Sequence, residues 1–225
     1  MIQSPEVVDD VLERMISQGG RENLQIVADF DYTLTNYHRS DGKPGRANTS
    51  WELLNESSLV PGFSSPFDPK LNTDEKILAM LNAYNEFNEQ FMKHNFNDNM
   101  MEKLMLEAKS SISLRDGAKD FLENAYANGI PVLIVTAGFG CLEGNDEEKK
   151  NIILLGDSIG DLGMSEGLHD PMMGDLLKIG VLNHDVDDKY HLNLYVSSYD
   201  IVLLDERSYD LPNFILNYIT KEIIH

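Results

Sequence analysis

The chain has 225 residues, of which 42% are hydrophobic, enough to bury the core of one domain with a smaller insertion and too apolar for a disordered chain. Its 18 Lys and Arg stand against 38 Asp and Glu, a net charge of −20 that disfavours nucleic-acid polymers, whose binding runs on phosphate neutralisation by basic side chains. No stretch approaches the ~20 apolar residues of a membrane span, the opening Met1-Ile2-Gln3-Ser4-Pro5-Glu6 lacks an export pattern, and Cys141 is the single cysteine, so the expected setting is the reducing cytoplasm, away from membranes.

In chain order, Ser4-Pro5 opens an amphipathic helix carried by Val7, Val8, Val11, Leu12, Met15 and Ile16 and stopped by Gly19-Gly20. Leu24-Gln25-Ile26-Val27-Ala28 reads as the first strand and ends in Asp29-Phe30-Asp31-Tyr32-Thr33. From Thr35 to Leu71 the chain is rich in Gly, Pro, Ser and Asn, with a turn at Asp41-Gly42-Lys43-Pro44-Gly45, and it leaves the core as a loop. Ile77, Leu81, Tyr84, Phe87 and Phe91, then Met101, Leu104, Met105 and Ala108, recur at helical spacing and predict two helices of an inserted cap over 41–111, their methionines and aromatics filling its core.

The main domain is expected over 1–40 plus 112–225. It resumes with a helix from Arg115-Asp116-Gly117-Ala118, faced by Phe121, Leu122, Ala125 and Tyr126 and closed by Gly129. Pro131-Val132-Leu133-Ile134-Val135 is a short apolar strand ended by Thr136-Ala137-Gly138, and Asn151-Ile152-Ile153-Leu154-Leu155 is another, ended by Gly156-Asp157-Ser158. Lys178-Ile179-Gly180-Val181-Leu182 and Ile201-Val202-Leu203-Leu204 are two more, and Leu211 to Ile224 reads as a closing helix. Strands apolar on both faces, alternating with helices, predict an α/β fold whose parallel sheet is covered on both sides, with ligands beyond the carboxyl ends of its strands.

Three polar motifs fall at that edge. Asp29 and Asp31 at a sheet rim cannot both be buried cheaply without a cation, which points to a divalent metal and a phosphoryl group. A carboxylate such as Asp29 can attack phosphorus, and Asp31 can protonate the leaving alkoxide and later deprotonate a water. Thr136, with the backbone N–H groups of Ala137 and Gly138, can hold phosphate oxygens. Asp157 supplies a further carboxylate for an octahedral Mg²⁺, and Asp161 completes or orients that shell. Singly these motifs have ordinary explanations, since Asp-x-Asp after a strand is often a turn or a helix cap. In this order, on three strand ends, they make a site.

On these residues the chain resembles the haloacid-dehalogenase-like phosphatases, and among them the class III cytosolic pyrimidine 5'-nucleotidases with their 7-methylguanosine-phosphate-specific relatives. The segments that carry the resemblance are Ala28-Asp29-Phe30-Asp31-Tyr32-Thr33-Leu34-Thr35, Thr136-Ala137-Gly138, Asn151 to Leu162, Leu177 to Asn183 and Ser198 to Leu203. It implies a three-layer Rossmann-like core with an inserted helical cap, and Mg²⁺-dependent hydrolysis of nucleoside 5'-monophosphates through an aspartyl-phosphate. Asp29 would be the nucleophile and Asp31 the general acid/base. Asp29, the Asp31 backbone carbonyl and Asp157 would hold the metal, Asp161 would stand behind them, and Thr33, Thr136, Ala137 and Gly138 would bind substrate.

Two features depart from that family. Its members place several dozen residues between the second and third motifs, comprising a helix, a strand and a lysine that neutralises nucleophile and phosphate. Here Gly138 and Gly156 are joined by Phe139-Gly140-Cys141-Leu142-Glu143-Gly144-Asn145-Asp146-Glu147-Glu148-Lys149-Lys150 and the strand itself, so a shortened core is expected. Lys149 and Lys150 precede that strand, at the edge opposite the site, and read as a solvated pair. The family's base-contacting acid falls where this chain has Ser65-Pro66-Phe67-Asp68-Pro69, which leaves the base unassigned. The expectation is a nucleotidase by lineage whose turnover is impaired by the missing lysine. The alternatives are a phosphatase of another small phosphometabolite and a non-catalytic isoform that binds phosphate or a partner. The sequence carries no signal of oligomeric state.

Overall fold

A computed structural model describes residues 1–2, 4–40, 44–50, 52–53, 72, 75, 78–79, 82, 85–86, 89, 93, 103, 106, 112–135, 141–143, 149–166, 168, 174–205 and 207–221. The chain divides into two compact units, Met1–Tyr37 with Leu114–His225, and His38–Ser113.

The larger unit is an α/β structure. Its described elements are α1 (Pro5–Ser17), β1 (Leu24–Asp29), α2 (Ala118–Ala127), β2 (Val132–Val135), β3 (Cys141–Glu143), β4 (Asn151–Gly156), β5 (Leu176–Leu182), α3 (Lys189–Ser198), β6 (Ile201–Leu204) and α4 (Asp210–Thr220). The sheet order is β3-β2-β1-β4-β5-β6. All neighbours run parallel except β2 and β3. β1 therefore lies between β2 and β4, and the register of Ala28 opposite both Ile134 and Leu155 brings the carboxyl ends of all three strands to one edge.

Alternate residues of the central strands point to opposite faces, and each face buries its own cluster. Ile26, Ala28, Ile153, Leu155 and Ile179 pack with Val8, Leu12 and Met15 of α1, Phe121 and Ala125 of α2, and Ile215, Leu216 and Ile219 of α4. On the other face Val27, Ile152, Leu154, Leu182 and Val202 pack with Tyr195 and Tyr199 at the end of α3. Burial on both faces is why these strands are apolar runs, and each fully buried large apolar side chain contributes about 1.5–3 kcal/mol. The margins differ: β4 is buried at every position, whereas all four residues of β2 are half-buried.

Three details depart from the sequence reading. The linker segment Cys141–Glu143 is a short strand, antiparallel to β2. β5 starts at Leu176, two residues before the expected Lys178. The last helix ends at Thr220, and residues 222–225 lie outside the described part of the chain.

In the smaller unit His38 and Arg46 form an antiparallel bridge. Arg46 grips Glu52 through two bonds of 2.7 and 2.6 Å. Thr49 and Glu52 exchange backbone-to-side-chain bonds of 2.9 and 3.1 Å, the reciprocal arrangement of a helix start. Beyond Asn72 every described residue up to 106 is helical. The apolar positions read as cap core, Ile77 to Ala108, and the Ser65–Pro69 segment with Asp68 lie outside the described residues.

Candidate active site

At the end of β1 the chain enters a wide turn, Phe30–Leu34, closed by Thr35, whose N–H donates to the Phe30 carbonyl at 3.1 Å. The Thr35 hydroxyl also donates to that carbonyl at 3.2 Å and accepts the Tyr32 N–H at 2.8 Å. Tyr32 sits at φ 63°, a left-handed conformation that costs a side-chain-bearing residue roughly 1–2 kcal/mol. Bonds to its carbonyl hold it there: Arg115 Nη2 donates at 2.5 Å and Asn183 Nδ2 at 3.0 Å. Strain of this kind persists where surrounding structure over-determines it, as functional turns do.

Asp29 meets Asp157, just beyond β4, and Asp161, in the short helical turn Ile159–Ser165. One oxygen from each lies within 4.8 Å of the others. Asp161 folds back because Ser158 holds both its oxygens, through its N–H at 2.8 Å and its hydroxyl at 2.9 Å. Gly156 leaves the room: a Cβ there would lie 2.5 Å from that of Asp161. The loop is pinned by Tyr195 of α3 and Tyr199 just after it: the Tyr195 hydroxyl donates to the Asp157 carbonyl and the Tyr199 hydroxyl to the Ser158 carbonyl, each at 2.5 Å. The two rings stack with centroids 5.7 Å apart, and Tyr199 lies over Gly180, where a Cβ would come within 2.5 Å of the ring.

Crowded carboxylates taken out of water resist ionisation. Burial pushes the Asp29 carboxyl up to about 8, and the charges of Asp161, Asp157 and Asp31 add to the rise. Burial, with Asp161 and then Asp31, lifts Asp157 to about 7 against the opposing pull of Asn183 and Arg115. Thr33 is fully buried. Its Oγ1 makes no hydrogen bond of full geometry, but it lies close enough to Asp29 to weaken the rise there, the smallest of these influences. An all-oxygen cluster that cannot be fully ionised by itself suits a hard divalent cation, and the residues present fit Mg²⁺.

Of the residues singled out from sequence, Asp29, Asp31, Thr33, Asp157 and Asp161 thus come to one edge of the sheet. Thr136, Ala137 and Gly138 lie outside the described residues. Lys149 Nζ donates to the Glu22 carbonyl at 2.8 Å, at the amino end of β4 and away from the trio. Four residues escaped the sequence reading as parts of the site: Arg115, Asn183, Tyr195 and Tyr199. Asn183, the first residue after β5, was findable by the strand-end logic that found Asp29 and Asp157. Arg115 precedes α2, Tyr195 lies in α3 and Tyr199 follows it, and none of the three carries a local mark.

A parallel sheet with aspartates gathered beyond two adjoining central strands is the arrangement that the resemblance to the haloacid-dehalogenase-like phosphatases implies. The chain belongs to the pyrimidine 5'-nucleotidase (UMPH-1) family, whose model matches residues 32–145 and 142–220. The 7-methylguanosine phosphate-specific 5'-nucleotidase B of Xenopus laevis is 26% identical over 287 aligned residues, covering 98% of this chain and 96% of the relative. The Homo sapiens 7-methylguanosine phosphate-specific 5'-nucleotidase is 25% identical over 285 residues, covering 97% and 92%. The crystal structure of cytosolic 5'-nucleotidase IIIB bound to cytidine shares the fold with a TM-score of 0.70 at 22% identity, over 97% of this chain and 93% of that one. The family and these relatives are 5'-nucleotidases, that is, phosphoric monoester hydrolases.

The two matched pieces meet at residues 142–145, between β2 and β4. Alignments of 285 and 287 residues also exceed the 225 of this chain. Dozens of residues present in the relatives are therefore missing here, and the meeting point of the pieces puts the loss after the second motif. Among the described residues, no helix is long and apolar enough to cross a membrane.

Proposed function

We propose that this chain is a Mg²⁺-dependent cytoplasmic 5'-nucleotidase acting on nucleoside 5'-monophosphates of the pyrimidine or 7-methylguanosine type, with turnover reduced by the shortened flank of its sheet. The observation that carries this reading is the meeting of Asp29, Asp157 and Asp161 at the ends of β1 and β4, in a chain of the nucleotidase family. Asp29, Asp157 and the Asp31 carbonyl would hold Mg²⁺, with Asp161 orienting them. When bound, the ion offsets the crowded carboxylates and draws charge from the phosphoryl oxygens.

The chain's own groups then divide the work. An ionised Asp29 oxygen bonds to phosphorus as the bond from phosphorus to the 5'-oxygen breaks, and Asp31 gives its proton to that leaving oxygen, freeing the nucleoside. Asp31 next takes a proton from water. The water oxygen bonds to phosphorus, the bond to Asp29 breaks, and inorganic phosphate leaves with Asp29 restored. In this reading Thr33, Thr136, Ala137 and Gly138 would bind the phosphoryl group, the two threonines through their hydroxyls and Ala137 and Gly138 through their backbone N–H groups.

The test is phosphate release by the purified chain from cytidine, uridine and 7-methylguanosine monophosphates, with and without Mg²⁺. Metal-dependent release from one or more of them is expected. Release confined to phosphomonoesters without a nucleoside would move the chain to another small metabolite. A folded sample that binds Mg²⁺ and releases phosphate from none would leave the non-catalytic reading.

A further inference from the structure

We propose that Arg115 is a positioning residue of this site, which sets the Asn183 amide and, through it, holds Asp157 and the turn after β1 in their metal-binding arrangement. The proposal rests on the reading of the aspartate trio as a metal site. Arg115 is 4% exposed and is the one charged residue among the buried described residues. Burying a guanidinium costs several kcal/mol unless its donors are matched, so its position demands an account. Nε donates to the Thr33 carbonyl at 2.8 Å, and Nη2 donates to the Tyr32 carbonyl at 2.5 Å and to Asn183 Oδ1 at 2.6 Å. Asn183, itself 5% exposed, turns its Nδ2 to the Tyr32 carbonyl at 3.0 Å and to Asp157 Oδ2 at 3.4 Å.

The direction of the amide is the point. An asparagine presents one acceptor and two donors, and a flip exchanges them. Arg115, a donor that cannot become an acceptor, fixes the Asn183 oxygen toward itself and the nitrogen toward Asp157. Without it the amide is free to turn its oxygen onto a carboxylate, which would repel Asp157 out of place. A single buried cation thereby ties together the turn after β1, the start of α2, and the ends of β5 and β4.

Isothermal titration of the full chain with Mg²⁺ alone tests this, with Arg115→Met, Asn183→Ala and the double variant, each checked for folding by metal-free thermal melting. Each single change should weaken Mg²⁺ binding by about 10–100-fold, as loss of partners that orient metal ligands does. The double variant should lose little more than either single one, because both act through one amide. Folded variants that bind Mg²⁺ like the parent, or losses that multiply in the double variant, would overturn it. Should Arg115→Met fail to fold, unchanged affinity in Asn183→Ala alone overturns it. A parent that binds Mg²⁺ but releases no phosphate refutes the nucleotidase reading and leaves this comparison of affinities to decide the role of Arg115.

Discussion

The two sides of β1 are built to different standards. Toward β4, β5 and β6 the sheet runs parallel, β4 is buried along its whole length, and Tyr195 of α3 and Tyr199 just after it pin the loop that carries Asp157. Toward β2 the strand is half-buried throughout and meets three antiparallel residues, in the stretch where the two family matches join. The half of the site toward β4 is thus closely packed, while the half toward β2, where the proposed reading puts the missing lysine, is thinly supported. Under the proposed function, cation binding and charge neutralisation at phosphorus would be separable along one sheet.

The comparison can be broken at its centre first. Asp29→Asn should lower metal-dependent phosphate release on the order of 10⁴-fold or more, the scale of losing a nucleophile. An assay that finds comparable release would dismiss Asp29 from that role. Packing differences come next: Leu154→Ala on fully buried β4 should cost about 2–5 kcal/mol in a denaturant melt, and Leu133→Ala on β2 well under half of that. Equal costs would mean that the two flanks are equally supported.

The third effect concerns protons and metal. Asp29 and Asp157 have folded-state pKa values near 8 and 7, above their ordinary 3.8, so the folded protein binds more protons than the unfolded chain between those limits. The stability they contribute is present below about pH 4 and is lost as pH rises through 7 and 8. Metal-free melting temperatures should therefore fall across that window, and Mg²⁺ at a fixed concentration a hundred times its Kd at pH 8 should restore about 2.7 kcal/mol at pH 8 and far less at pH 5. A metal effect independent of pH would contradict the crowding. Of similar size, grafting the missing family segment after Gly138 should raise turnover by ~10²-fold, the worth of one cation in the transition state. An unchanged rate in a folded, metal-binding graft would show that the short flank is not what limits turnover. Smallest, Tyr199→Phe should lose about 1 kcal/mol and shift the melting temperature by roughly 2–4 °C.

What could be read from sequence followed the range of each signal. The runs Leu24–Ala28 and Asn151–Leu155 were legible as strands because burial on both faces leaves them apolar but for Gln25 and Asn151, and their acidic ends then marked the edge. Residues 141–143 were not, since three residues carry no period. Arg115, Tyr195 and Tyr199 act on partners 38 to 83 residues away, and nothing within a helical turn of each betrays that. Asn183 sat in view at a strand end, but an amide there lacks the electrostatic demand that made the aspartates conspicuous.

Gly180 shows how far the site extends. No side chain leaves β5 at that point, and the ring of Tyr199 fills the space, its hydroxyl on the carbonyl of the same Ser158 that holds both oxygens of Asp161. A methyl group added at Gly180 would press on a strut whose far end is the aspartate cluster, so a substitution on the far side of a tyrosine would be felt as a change in metal affinity. The shape of the site is set in part by an atom the chain leaves out.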